Sequence, residues 1–157
     1  MASDIGKAAF AVMFRGLPPV LVGALAFGIR VPSDVVTWLG FIVSIVLAAA
    51  LGSRWWLLVN LCAFWTVEVR GIRSLAIVVL NFAAGITVPL QFLPDTVRGV
   101  AFATPFAAML QRPIDLFLGL TSVGTVIAWQ VGWLVVLEVL VRTELAAAVR
   151  KVVIQGG

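Results

Sequence analysis

One stretch of the sequence, residues 71–119, holds apolar runs of very unequal length. Its first run, 74–93, is long enough to cross a bilayer, but the runs 97–110 and 114–118 are not, because a crossing helix needs about 20 apolar residues. Non-helical backbone at membrane depth must be shielded by protein or face water. The stretch therefore predicts one span that leads into a hairpin, which dips into the bilayer and returns to the same side.

The composition places the chain in a membrane. Of its 157 residues, 62% are hydrophobic and only 11% are charged, whereas a soluble domain is about 45–50% apolar and about 25% charged. We predict an all-α, polytopic membrane helical bundle with about four transmembrane helices and a re-entrant helical hairpin before the last span. No repeat or low-complexity linker divides residues 1–157, so they are predicted to form a single transmembrane domain.

The residue types argue against chemistry in this chain. One cysteine and no histidine argue against a transition-metal site and against acid–base catalysis by histidine. The sequence has no GxxxxGK[ST] loop, so ATP hydrolysis in the P-loop manner is not expected of it. We predict no catalytic, cofactor-binding or metal site and no enzyme activity. The net charge of +4 comes from basic residues scattered at span ends, which indicates membrane topology rather than nucleic-acid binding.

The apolar region 35–67 is long for one span and short for two. A polar interruption at 52–54 leaves two interpretations: one long, bent helix whose end leaves the bilayer, or two spans over 35–51 and 55–67. The second of these two spans would hold only 13 residues, so we favour one helix. The predicted spans are then 8–29, 35–67, 74–93 and 121–143.

The basic residues give these four spans an orientation. Arg54 stays within its helix, and the others divide between the two sides. Seven lie on the side of the N-terminus: Lys7, Arg15, Arg70, Arg73, Arg142, Arg150 and Lys151. Three lie on the opposite side: Arg30, Arg98 and Arg112. Because basic residues are in excess on the cytoplasmic side, we predict that both termini are cytoplasmic and that the hairpin is external.

A charged cluster of Glu68, Arg70 and Arg73 lies where an apolar helix ends on the predicted cytoplasmic side. It has two interpretations. The cluster is a docking point for a cytosolic partner or a pivot between helices, or it is an interfacial ion pair that fixes the depth of the helix.

Prolines and charges alternate along the predicted hairpin. Asp95 with Arg98 and Arg112 with Asp115 are each three residues apart and can pair on a helix. These pairs either shape an external gate or substrate exit, or cap short helices at the water interface. The candidate hairpin residues are Pro89, Pro94, Asp95, Arg98, Pro105, Arg112, Pro113 and Asp115.

The end of the last predicted span becomes charged. Glu138 and Arg142 are four residues apart, so they share a helix face and can pair. Arg150 and Lys151 form a basic pair that we predict to lie beside anionic headgroups.

Four uncharged polar residues lie in or near spans: Asn60, Asn81, Gln91 and Gln130. They either line a translocation path or form hydrogen bonds between helices. No acidic residue lies at the centre of a predicted span, which argues against an ion-driven antiporter.

Several stretches together resemble the membrane subunit of type-2 ABC exporters, in particular a compact bacterial permease subfamily. SDIGKAAFAVMFRGLPPVLVGAL resembles the opening of that family's third span, and LCAFWTVEVRGI the cytoplasmic end of its fourth. GITVPLQFLPDTVRGVAFATPFAAMLQRPIDLFLG resembles its fifth span and the external re-entrant helices, and RKVVIQGG its C-terminal end. The chain would thus be the C-terminal part of such a permease, spans three to six.

The resemblance implies a function and partners. The family has six spans per subunit, and its first two spans and the coupling helix that follows them would lie before Met1. Two permease copies, or a permease and a paralogue, would form the pathway in a bacterial inner membrane. A cytosolic P-loop ATPase would carry ATP and Mg, and this chain would hold no cofactor.

Two other functions fit the sequence alone. The chain could be a non-transporting helical subunit that stabilises a membrane partner, which a missing N-terminal part of the permease favours. It could also be a small independent channel or drug pump that assembles as an oligomer, although the lack of a central acidic residue argues against a proton-coupled pump.

Overall fold

The regular structure of the described residues is helical throughout. The computed structural model describes residues 22–23, 32–66 and 68–155, so the predicted span 8–29 lies almost wholly outside them. Short 3₁₀ turns occupy Cys62–Phe64 and Leu90–Phe92. The α-helices that follow Pro32 are α1 (Val35–Leu61), α2 (Val69–Ala83), α3 (Asp95–Ala103), α4 (Pro105–Met109), α5 (Gln111–Phe117) and α6 (Val123–Gln155). The predicted all-α class is confirmed, and the prediction of a single domain over 1–157 stays a prediction.

Two of the described helices are long and apolar enough to cross a membrane. They cover Val35–Phe64, with 30 residues, and Val123–Lys151, with 29 residues. At 1.5 Å per residue each is about 44 Å long, more than the roughly 30 Å of a hydrocarbon core. Large apolar side chains cover their outer faces, as on Val36, Val46 and Val135. Such surfaces suit a lipid environment.

Residues 35–61 form one uninterrupted helix, so the prediction of one helix instead of two spans is confirmed, although the α-helix ends at Leu61 and a 3₁₀ turn follows to Phe64. Arg54 lies within α1, as predicted. The polar interruption does not end the helix, because the Ser53 hydroxyl donates to the carbonyl of Ala50 at 2.7 Å and needs no other partner.

The two long helices run parallel to each other. Gly40 faces Val123, Arg54 contacts Glu138 and Phe64 contacts Lys151. Residue numbers in these contacts differ by 83 (123 − 40), 84 and 87, so the offset stays nearly constant along both helices. One end of the pair therefore holds Val35 and Val123, and we call it the hairpin end. The other holds Phe64 and Lys151, and we call it the Lys151 end.

Gly40 allows the close approach of α1 and α6 at the hairpin end. A Cβ built on Gly40 would lie 2.5 and 2.8 Å from the two γ-methyl carbons of Val123. We expect Gly40→Ala to lower the free energy of unfolding by about 1–3 kcal/mol, because the branched valine cannot yield without moving a helix. Thermal unfolding in detergent measures the change.

Gly52 provides the matched control, since a Cβ there meets no atom within 4 Å and it lies on the same helix. Gly52→Ala should be neutral or stabilising by about 0.5–1 kcal/mol through helix propensity. Adding Val123→Ala to Gly40→Ala should restore stability. Equal effects of the two alanines would contradict the assigned packing.

Helix α2 corrects the prediction of a span over 74–93. It covers Val69–Ala83, only 15 residues and about 22 Å, which is too short to cross a bilayer. The helix ends because Gly85 adopts a left-handed φ of 82°, and the carbonyl of Asn81 accepts from the amides of Ile86 and Thr87 instead of continuing the helix. The apolar run thus divides into a helix and an irregular segment at the depth of the spans.

The predicted helical hairpin is present between α2 and α6, and it reaches far along α1. The ring of Phe106 in α4 contacts that of Trp55 edge-on, with 4.7 Å between the ring centres. Ala108 packs with Leu51 and Leu137. Leu51 is 16 residues beyond Val35, or about 24 Å along the helix. Helix α4 is therefore the deepest part of the hairpin.

The chain then returns to the end from which α1 starts. The ring centre of Phe117, at the end of α5, lies 5.7 Å from that of Trp38 and 5.2 Å from that of Phe41, both in the first turns of α1. Helix α6, which contains the last span, begins at Val123 and continues to Gln155, beyond the predicted end of that span at residue 143.

Asp34 caps the N-terminus of α1. Its carboxylate accepts a hydrogen bond from the amide of Thr37 at 2.7 Å. Hydrogen bonding to the side chain of Thr37, and then to its amide, lowers the pKa of Asp34. Because the folded-state pKa is depressed, the cap stabilises α1 fully above the unfolded-state pKa near 4, and it is lost as the pH falls through the lower folded value.

We therefore expect wild-type protein to lose stability between pH 5 and pH 3 by more than Asp34→Asn, since asparagine caps a helix without titrating. Thermal unfolding at a series of pH values compares the two proteins. Parallel pH profiles would contradict the role of this carboxylate.

Candidate functional site

Gln130 fixes the hairpin between the two spans. It is fully buried in α6, and its side-chain amide donates to the carbonyl of Ala108 at 2.9 Å and to that of Ser44 at 3.1 Å. Ala108 belongs to the five-residue helix α4, whose last carbonyls have no partner within the helix. One side chain therefore links α6, α1 and the deepest part of the hairpin. The prediction that Gln130 forms interhelical hydrogen bonds is confirmed.

Asp115 is bound by Gln111 and not by Arg112. Gln111 and Asp115 are both buried, and the amide of Gln111 donates to the carboxylate at 2.9 Å. Since α5 begins at Gln111, these two residues lie four apart on one inward face. The prediction that Arg112 pairs with Asp115 is therefore wrong.

Arg112 lies against aromatic rings. Its guanidinium lies 5.1 Å from the ring centre of Phe102 and 5.4 Å from that of Trp129. Both distances allow cation–π attraction. Arg112 thereby connects the two arms of the hairpin to α6.

The other predicted hairpin residues shape its bends. Asp95 and Arg98 form the predicted ion pair on an exposed surface. Pro89 precedes the 3₁₀ turn Leu90–Phe92, and Pro94 precedes α3. Pro105 and Pro113 fall in the first turns of α4 and α5, where a missing amide costs no hydrogen bond.

At the Lys151 end, the predicted cluster forms different contacts from those expected. Glu68 caps α2 by accepting from the amide of Arg70 at 3.3 Å. Arg73 donates to the side chain of Asn60 at 2.8 Å and so links α2 to α1. Among the described residues these three charges form no ion pair with one another. The interpretation as an ion pair is corrected, and the docking interpretation stays a prediction.

Glu138 pairs with two arginines. The predicted bond to Arg142 is present at 2.8 Å, and Arg54 of α1 donates to the other carboxylate oxygen at 2.6 Å. The sequence analysis missed this second pair. The sequence signalled only that Arg54 has a partner, because an arginine inside an apolar helix needs one.

Lys151 closes the same end of the bundle. Its ammonium group donates to the carbonyl of Phe64 at 2.7 Å and lies 5.9 Å from the ring centre of Trp65. Arg150 donates to the carbonyl of Ala146 within α6. The predicted contact of Arg150 and Lys151 with lipid headgroups stays a prediction.

An apolar cleft of about 700 Å³ opens at the Lys151 end, and residues of α1, α2 and α6 line it. Most of its lining is apolar, including Trp55, Leu75 and Val79, and Glu144 is the one charged residue among the described lining. Among the described residues, no group of three or more His, Cys, Asp or Glu side chains could hold a metal ion. The site thus consists of hydrogen bonds, ion pairs and apolar surface.

Comparison with protein families gives one match. The model of the family described as ABC-2 family transporter protein matches residues 6–156, nearly the whole chain. Comparisons with curated proteins and with solved structures found no match. The family consists of membrane permeases that are not themselves catalytic. The resemblance drawn from the sequence is therefore confirmed at the level of the family.

Proposed function

Since the chain belongs to the ABC-2 transporter family and is a multi-pass membrane permease subunit, we propose that it serves an ATP-driven exporter. A separate P-loop ATPase hydrolyses ATP, with Mg, and a second permease copy or a paralogue completes the pathway. In the proposed orientation the Lys151 end faces the cytoplasm of a bacterial cell and the hairpin faces outward. The family match over residues 6–156 carries this proposal.

Helix α2 connects the Lys151 end of the bundle to the hairpin. Near its start, Arg73 is bound to Asn60 of α1. Just beyond its end, Gly85 lies against the buried side chains of Leu90 and Gln111 in the hairpin. A displacement of α2 at the Lys151 end is therefore transmitted to the hairpin. We infer that this helix transmits the ATPase movement and that the hairpin acts as the external gate.

Purification of the tagged chain from its native host in mild detergent tests the proposal. Mass spectrometry should find a P-loop ATPase in stoichiometric amount. Recovery of the chain alone, or with a membrane partner and no ATPase, would contradict the exporter and favour a non-transporting subunit or an independent channel.

Two arginine variants test the docking cluster in the same experiment. Arg70 is exposed at the start of α2, whereas Arg98 lies in the hairpin, is partly exposed and pairs with Asp95. Arg70→Ala should lower the recovery of the ATPase, because Arg70 belongs to the proposed cytoplasmic docking surface with Glu68 and Arg73. Arg98→Ala should leave recovery unchanged. An equal effect of both variants would contradict docking at this cluster.

A further inference from the structure

One carboxylate holds two arginines in the cleft between α1 and α6. Each oxygen of Glu138 accepts from the Nε of one arginine, Arg54 at 2.6 Å and Arg142 at 2.8 Å. The group carries two positive charges and one negative charge, so one positive charge is left over. A simple ion pair between the helices would need only one arginine.

The remaining donors of both arginines are accessible. Both hydrogen bonds to Glu138 use Nε, and no described residue accepts from the terminal amino groups of Arg54 or Arg142. The two side chains are 41% and 77% exposed. Because a guanidinium presents planar, paired donors that match phosphate geometry, Glu138 orients two such forks beside one cleft.

The cleft itself is apolar next to these charges. Its volume is about 440 Å³, and Ala50, Leu134, Val135 and Val139 form its walls beside the charged group. A shallower groove continues from Arg142 along Leu145, Ala146 and Val149 to Arg150. A free anion would need only the arginines, whereas a lipid also buries an acyl chain against such apolar walls.

The depth of the site matches a headgroup region. Arg54 lies 19 residues beyond the start of α1 and Glu138 lies 15 beyond the start of α6, about 28 and 22 Å along the helices. The first of these lengths approaches the roughly 30 Å of a hydrocarbon core. Arg142 lies 19 residues beyond the start of α6, also about 28 Å along its helix. Trp55 and Trp56 follow Arg54 directly, and tryptophan is enriched at membrane interfaces.

We propose that Arg54 and Arg142, oriented by Glu138, bind the phosphate of an anionic phospholipid, with its acyl chain along Leu134, Val135 and Val139. In the proposed orientation this is the cytoplasmic leaflet, where basic pockets between helices bind anionic lipid headgroups. The choice of leaflet rests on the proposed function, whereas the site itself rests on the geometry. The bound lipid bridges α1 and α6 at the end opposite the hairpin.

Native mass spectrometry of the purified protein with phosphatidylglycerol or phosphatidylcholine tests the site. We expect the anionic lipid to bind preferentially, and Arg142→Ala to reduce this preference by about fivefold, the effect of one basic residue near a headgroup. Arg142→Lys keeps the charge without the paired donors and should give an intermediate value. The control Arg98→Ala removes a partly exposed arginine of the hairpin, outside the site, and should leave the preference unchanged.

Three results would overturn the proposal. The first is equal binding of the two lipids. The second is an equal loss of the lipid preference in Arg142→Ala and Arg98→Ala. The third is displacement of the lipid by millimolar inorganic phosphate, which would indicate a small-anion site. Thermal unfolding of Arg142→Ala excludes general loss of the fold as the cause. ATPase recovery from the same preparations separates this test from that of the proposed function, since a failed lipid preference with retained ATPase contradicts the lipid site alone.

Discussion

Replacing Gln130 by leucine is expected to lower the free energy of unfolding by about 1–3 kcal/mol. Leucine has a similar size but cannot donate, so the carbonyl of Ala108 loses its hydrogen bond in an apolar setting. The helix that holds Ala108 has only five residues and cannot compensate. Thermal unfolding in detergent measures the loss, and faster proteolysis of the hairpin should accompany it.

Gln91→Leu is the matched control for this substitution. Gln91 lies in the same hairpin, but it is exposed and has no side-chain hydrogen bond to another described residue. We expect its replacement to change stability by less than about 0.5 kcal/mol. If both leucine variants behave alike, Gln130 does not hold the hairpin.

The second large effect is expected at Gly85, where α2 gives way to the hairpin. Gly85→Ala should lower the free energy of unfolding by about 2–4 kcal/mol. Its φ of 82° is strained for a residue with a Cβ, and that Cβ would lie 3.1 Å from Leu90 and 3.2 Å from Gln111. Both neighbours are buried, so neither can move freely. Unfolding free energies in detergent give the measurement.

Two further glycines separate the effect of backbone strain from that of steric contact. Gly119 has a φ of 71° and no neighbour within 4 Å, so Gly119→Ala should show only the backbone strain, about 1–2 kcal/mol. Gly99 lies in α3 with open space around it, and Gly99→Ala should be neutral or slightly stabilising. An order other than Gly85, Gly119, Gly99 in the size of the loss would contradict the local geometry.

The sequence predicted the elements that depend on local signals. The length of the apolar region favoured one helix over 35–61, and Ser53 does not interrupt it because its hydroxyl bonds within the helix. The prolines marked the starts of the short helices of the hairpin. The i,i+4 spacing correctly paired Glu138 with Arg142. The i,i+3 spacing correctly paired Asp95 with Arg98.

The sequence failed where tertiary contacts decided. Arg112 and Asp115 have the same spacing as Asp95 and Arg98, but the carboxylate of Asp115 accepts from Gln111, and Arg112 lies against two aromatic rings. The extent of α2 depended on one left-handed glycine, whose effect hydropathy cannot register. Arg54 found its partner 84 residues away, on a helix whose direction and offset relative to α1 no local pattern specifies.

The parallel arrangement of α1 and α6 gives the permease two distinct ends. The hairpin occupies the space between them towards one end, and polar contacts join α1, α2 and α6 towards the other. In the proposed exporter, movement at the second end would be separated in space from opening at the first.

Crosslinking between the hairpin and α6 tests the depth of the hairpin most directly. In a Cys62→Ser background, the pair Ala108→Cys and Leu137→Cys is treated with a short thiol crosslinker in native membranes. The pair Ala108→Cys and Val123→Cys, whose α6 position lies 14 residues nearer the hairpin end, is the control. Efficient crosslinking of 108 to 137, with little or none to 123, is the expected result. Crosslinking of 108 to 123 but not to 137 would place the hairpin near the surface and contradict its insertion between the spans.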